Sequence, residues 1–80
     1  MAKDYRSKFV KEVIINEIEL AIDGYYNDST PDGKYEWYDV FHRGVCVNEG
    51  EPFDRIPTKS QLEKIATFIT NQYIAGLWKK

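Results

Sequence analysis

The sequence predicts an α+β fold, a small antiparallel sheet of three to four strands packed on a C-terminal helix, and three features predict it. Tyr35 to His42 interleaves aromatic and β-branched side chains with acids and reaches Val45-Cys46-Val47 through Arg43-Gly44, the pattern of a hairpin. Leu62, Ile65, Ala66, Ile69, Tyr73 and Leu77 recur at helical spacing behind Thr58-Lys59-Ser60-Gln61, a capping box just after Pro57. Nearer the N-terminus Ile14, Ile18, Leu20 and Ile22 alternate with Glu17, Glu19 and Ala21, and Asn16-Glu17 can turn the chain.

Taken in order, residues 8 to 15 and 18 to 26 read as two strands. Val10, Ile14, Ile18, Ala21 and Tyr25 also form a helical stripe, so the alternative architecture is an N-terminal helix, a β-hairpin and a C-terminal helix. Lys11 and Glu17 encroach on that stripe and no clean N-cap precedes it, which favours strands. Gly24 and the polar run Asn27 to Gly33 then connect to the Tyr35 strand.

A two-residue loop in the second hairpin sets His42 opposite Val45, Phe41 opposite Cys46 and Val40 opposite Val47. Tyr38, Val40, Val45 and Val47 are then expected on one side, and Tyr35, Trp37, Asp39, Phe41 and Cys46 on the other. His42 reads as a turn-flanking surface residue and Cys46 as a small buried hydrophobe. Asn48 to Pro57 is a loop broken by Gly50, Pro52 and Pro57, with Phe53 and Ile56 expected to tuck against the core.

The helix is expected over 58–78, with Lys79 and Lys80 suiting the negative end of its dipole. Gly76 lies on the stripe, where it either permits close approach to the sheet or marks fraying. Phe68, Ile74 and Trp78 fall off the stripe and widen the apolar surface.

With 80 residues the chain reads as one small globular domain that buries only roughly 60% of the surface its unfolded form exposes. A hydrophobic content of 42%, with 15% aromatic, nonetheless argues for a folded globule. The net charge of −2 gives no long-range pull toward nucleic acid or acidic membranes. It is unevenly spread: Lys3, Arg6, Lys8 and Lys11 make the N-terminus basic, while Asp23, Asp28, Asp32, Glu36, Asp39, Glu49, Glu51 and Asp54 make the middle acidic. A lone Cys46 and no apolar run resembling a signal peptide or membrane span lead to a cytoplasmic expectation, under which the Asn27-Asp28-Ser29 sequon is only a polar loop.

Catalytic and metal constellations are poorly formed. Asp28, Thr30, Asp32 and Gly33 fall on calcium-loop positions, but Pro31 intrudes, Asp39 replaces the closing Glu and no helices flank the loop. His42 and Cys46 leave opposite faces of the hairpin, and no second Cys or His completes a zinc site. Glu36/Asp39 and Glu49/Glu51 would need a desolvating pocket for acid/base work, and the glycines are isolated turn residues rather than a phosphate loop. No catalytic residue, metal ligand or cofactor is assigned.

The aromatic strand is the functional signal, because its rings land on both faces while a single small sheet usually buries one. Tyr35, Trp37, Asp39, Phe41 and Trp78 are the candidate binding residues, the rings as anchors and the acid as rim. The expectation is a small non-enzymatic protein acting through protein contacts as an accessory, adaptor or inhibitor, with homodimerisation the simplest form. The alternative is a single-stranded nucleic-acid-binding module that stacks bases on Tyr35, Trp37 and Phe41, which the interleaved acids oppose. A small enzyme or metal-binding protein ranks behind both.

Overall fold

The computed structural model describes residues 5–27, 35–48 and 52–78. Four strands, β1 (Tyr5–Ile15), β2 (Ile18–Asn27), β3 (Tyr35–His42) and β4 (Val45–Cys46), form one antiparallel sheet in the order β1-β2-β3-β4, followed by helix α1 (Lys59–Ile74). This is the α+β architecture, with strands rather than a helix in the N-terminal third. Gly24 and Asn27, expected in the connection to the Tyr35 strand, belong to β2 instead. The rest of that connection, with the calcium-like positions Asp28 to Gly33, and Glu49/Glu51, Lys3 and Lys79-Lys80 lie outside the described residues.

Both hairpins close through two residues in the left-handed region, Asn16 (φ 51) with Glu17 (φ 70), and Arg43 (φ 52) with Gly44 (φ 80). Paired positive φ values give a turn whose twist matches the flanking strands, which Asn and Gly adopt cheaply and Glu and Arg do not. The tight turns fix register, so Ile15 faces Ile18, His42 faces Val45 and Phe41 faces Cys46.

Alternation from those turns sends Ile18, Leu20, Ile22 and Val40 to one face, where Val47 and the helix residues Leu62, Ala66 and Ile69 complete the buried core. Two bulges interrupt the alternation, one between Phe9 and Lys11 and one where Tyr25 pairs with Trp37 but Tyr26 pairs with Tyr35. The second skips one β3 residue and moves Tyr35 onto the helix side, against Tyr26 and Tyr38 (ring centroids 5.9 and 5.7 Å). The expected grouping of Tyr35 with Trp37 and Phe41 is therefore corrected. Gly24, opposite Tyr38, makes room for this ring, since a Cβ there would lie 2.6 Å from Tyr35 Cδ1 and 2.9 Å from Val10 Cγ2.

The free edge of β3 is closed by side chain and loop. Val47 N–H donates to Val40 O, the Asn48 side-chain oxygen accepts from Val40 N–H at 3.0 Å, and Phe53 exchanges both backbone hydrogen bonds with Tyr38. Phe53 thus tucks in as expected, whereas Ile56 is 41% exposed and does not. Cys46, expected to be buried, is exposed because β4 is a two-residue edge strand and the thiol points away from α1.

Thr58 caps α1 reciprocally: its hydroxyl accepts from Gln61 N–H, and the Gln61 side chain accepts from Thr58 N–H. The helix ends at Ile74 rather than 78, because Gly76 (φ 78) and Leu77 return their N–H groups to Tyr73 O and Gln72 O. That closure is a Schellman motif, which requires a left-handed residue where Gly76 stands. Leu77 is consequently 70% exposed instead of continuing the stripe.

Ile69→Ala is expected to destabilise the fold by about 2–5 kcal/mol, and Ile56→Ala by no more than about 0.5 kcal/mol. Gly24→Ala forces Tyr35 to move and should cost about 1–3 kcal/mol. Urea midpoints of the three variants test the ranking; equal midpoints for Ile69→Ala and wild type would remove α1 from the core.

Candidate functional site

The face of the sheet turned away from α1 carries no covering layer among the described residues. Because Ile18, Leu20 and Ile22 point inward, Glu19, Ala21, Asp23 and Tyr25 must point outward, and the register sets partners beside each. One row reads Ser7, Tyr25, Trp37; the next Phe9, Asp23, Asp39; the third Glu12, Ala21, Phe41, Cys46; and Ile14 stands beside Glu19. Rings therefore flank a central carboxylate pair. Small Ala21 leaves a depression of about 250 Å³ beside Phe41, bordered by Glu12 and Glu19 and, from the turn, by Arg43.

Phe9 and Ile14 are 58% and 64% exposed, while Tyr25, Trp37 and Phe41 are half-buried. Tyr25 and Trp37 stack with centroids 6.4 Å apart and planes 25° apart. Asp23 lies directly opposite Asp39, a like-charge arrangement that disfavours the bare sheet. Asp39 is partly compensated by Asn48, whose amide nitrogen donates to it at 3.1 Å while the amide oxygen serves Val40 N–H and the Cys46 thiol. Burial in this stack pushes the Tyr25 phenol above its ordinary value, and the neighbouring Asp39, to which it is hydrogen-bonded, and Asp23 push it further.

Of the residues singled out in the sequence, Trp37, Asp39 and Phe41 come together on this face. Tyr35 is on the helix side through the bulge, and Trp78 is at the end of α1, packed on His42 with centroids 4.9 Å apart. Phe9, Asp23 and Tyr25 complete the outer face and were missed, although the inward alternation of Ile18, Leu20 and Ile22 already placed Asp23 and Tyr25 opposite them.

His42, expected at the surface, is buried, with 6% of its area exposed. Its inward strand position puts Nδ1 2.7 Å from Glu19 O and Nε2 2.7 Å from the Tyr73 hydroxyl, under an edge-on Trp78. A carbonyl only accepts, so Nδ1 donates to Glu19 O, while Nε2 shares its hydrogen bond with the Tyr73 hydroxyl. The imidazole thereby ties β2, β3 and α1 together, and both of its nitrogens are occupied. A groove of about 470 Å³ between α1 and the segment after β4, lined by Val47, Phe53, Ile65 and Phe68 with Gln61, Lys64 and Asn48, presents no hydroxyl, thiol, imidazole or carboxylate. Among the described residues no three His, Cys, Asp or Glu side chains converge on a common metal position, and no helix is long and apolar enough to cross a membrane.

No protein-family model, curated protein or solved structure matches the chain.

Spectrophotometric titration should find Tyr25 ionising above the ordinary phenol value of 10.0 in the folded protein, and closer to it in Asp39→Asn. The folded state holds this proton more tightly than the unfolded chain, so its contribution to stability is complete below that value and is lost as pH rises through the folded pKa. A Tyr25→Phe protein with the same loss of stability above pH 10.0 as wild type would show that the outer-face stack does not cause it.

Proposed function

We propose that this protein is non-enzymatic and acts through protein contacts, as an accessory, adaptor or inhibitor, with the outer sheet face receiving a partner that presents apolar and cationic groups. One observation carries the reading: the uncovered face combines Phe9, Tyr25, Trp37 and Phe41 with Glu12, Glu19, Asp23 and Asp39, and no outward strand position among the described residues is Lys or Arg. Aromatic anchors suit the desolvated centre of an interface, and the acids select a partner of opposite sign. A cation seated near Asp23 and Asp39 would relieve their mutual repulsion and lie against ring faces, so the charged and apolar features favour the same ligand. A reducing, cytoplasmic setting fits the exposed Cys46 thiol.

The Tyr25/Trp37 stack also suits bases of a single strand, and that is the second reading. It is opposed by the four acids, which repel phosphate where a single-strand groove is normally basic.

Selection of a random peptide display library on the immobilised protein is expected to enrich peptides carrying Lys or Arg beside large apolar residues. A Trp37→Ala/Phe41→Ala variant should lose roughly 2–4 kcal/mol of their binding per ring, and Asp39→Asn should weaken it with a reduced salt dependence. Failure to enrich such peptides, together with salt-dependent binding of mixed single-stranded oligonucleotides that the double variant abolishes, would replace protein contact with nucleic-acid binding.

A further inference from the structure

The β1–β2 hairpin is charged oppositely on its two sides. Arg6, Lys8 and Lys11 pair with Tyr26, Gly24 and Ile22, positions that face the helix side, whereas the outward partners are Phe9 with Asp23 and Glu12 with Ala21. All three cations are exposed: Arg6 and Lys8 lie beyond the end of the hairpin on which the buried helix residues pack, around Ile18, Leu20 and Ile22, and Lys11, opposite Ile22, lies at its margin. The molecule is correspondingly elongated, 44 × 24 × 18 Å, and the far end of the hairpin forms a basic arm with Val10 and Tyr26 among its lysines.

Resting on the docking reading above, we infer that the cationic, apolar partner of the outer face is a second copy of this chain, which docks its basic arm head to tail onto that face. Charge complementarity selects this occupant: the arm supplies the three cations and the outer face supplies Glu12, Glu19, Asp23 and Asp39. The symmetric alternative, outer face on outer face, sets the same four acids against themselves. The arm's basic side and the acidic face point in opposite directions, so a two-fold pair cannot satisfy both. The contact is heterologous, and it either closes a ring of more than two copies or extends as a filament.

The full chain is tested by sedimentation velocity in about 10 mM and about 0.5 M NaCl, where screening is weak and strong respectively. Wild type should exceed the dimer mass as its concentration rises at low salt and return toward monomer at high salt. Lys8→Glu/Lys11→Glu removes the arm, and Trp37→Ala/Phe41→Ala, or Asp23→Lys if that pair fails to fold, removes the face; each variant should be monomeric alone. An equimolar mixture of arm and face variants should recover a complex of one copy each that grows no further, because one intact arm meets one intact face. Wild type that is monomeric throughout, association indifferent to salt and to these substitutions, or no recovery on mixing overturns the inference. If wild type is monomeric yet binds the selected cationic peptides through Trp37 and Phe41, only self-assembly is wrong; if it does neither, the docking reading falls with it.

Discussion

Alternation along the four strands sends every second side chain away from α1, and one helix of 16 residues can shield only one of the two faces this creates. The aliphatic residues Ile18, Leu20, Ile22 and Val40 occupy the shielded side, so the rings and acids between them are left on the other. Two left-handed turns hold that division, since a register slip of one residue would exchange the faces. Both turns place a residue other than glycine or asparagine at positive φ, which shows that packing of the inward face outweighs the local backbone cost.

His42 joins this division to the helix. It occupies the last inward position of β3, where an aliphatic side chain would leave Glu19 O and the Tyr73 hydroxyl unpaired. The Gly76 closure then returns Trp78 over the imidazole, with Trp78 Nε1 donating to Gln72 at 2.7 Å. The two sheet edges are treated differently. The β3 edge is sealed by β4, Asn48 and Phe53, while β1 has no partner strand on its outer side among the described residues, where its bulge and its lysines discourage edge pairing.

The strands, both turns, the second hairpin's register and the Thr58/Gln61 cap were legible in the sequence because each depends on neighbours a few residues away. What it misjudged depends on tertiary surroundings. Tyr35 changes face through a one-residue bulge that Gly24 accommodates, and nothing in the spacing of the aromatic strand marks that bulge. His42 and Cys46 were assigned opposite faces correctly but opposite burial wrongly: α1 covers the His42 side, and the neighbouring valines made Cys46 look like core. Gly76 is a terminator rather than a packing glycine, a distinction set by its positive φ. The candidate site was half legible, since Trp37, Asp39 and Phe41 came from one strand's pattern, while Phe9, Asp23 and Tyr25 join them only once three strands are set in register.

An aromatic face that is both open and acidic has a direct physical signature. In a Trp78→Phe protein, Trp37 is the only remaining tryptophan and reports from the row beside the central carboxylate pair of that face. Its fluorescence should be quenched efficiently by caesium and poorly by iodide at equal ionic strength, because the surrounding carboxylates concentrate cations and exclude anions. Reversing Asp23 and Asp39 to Lys should invert the preference. Iodide quenching that equals or exceeds caesium quenching in the parent, or insensitivity to both ions and to neutral acrylamide, would contradict an open acidic face.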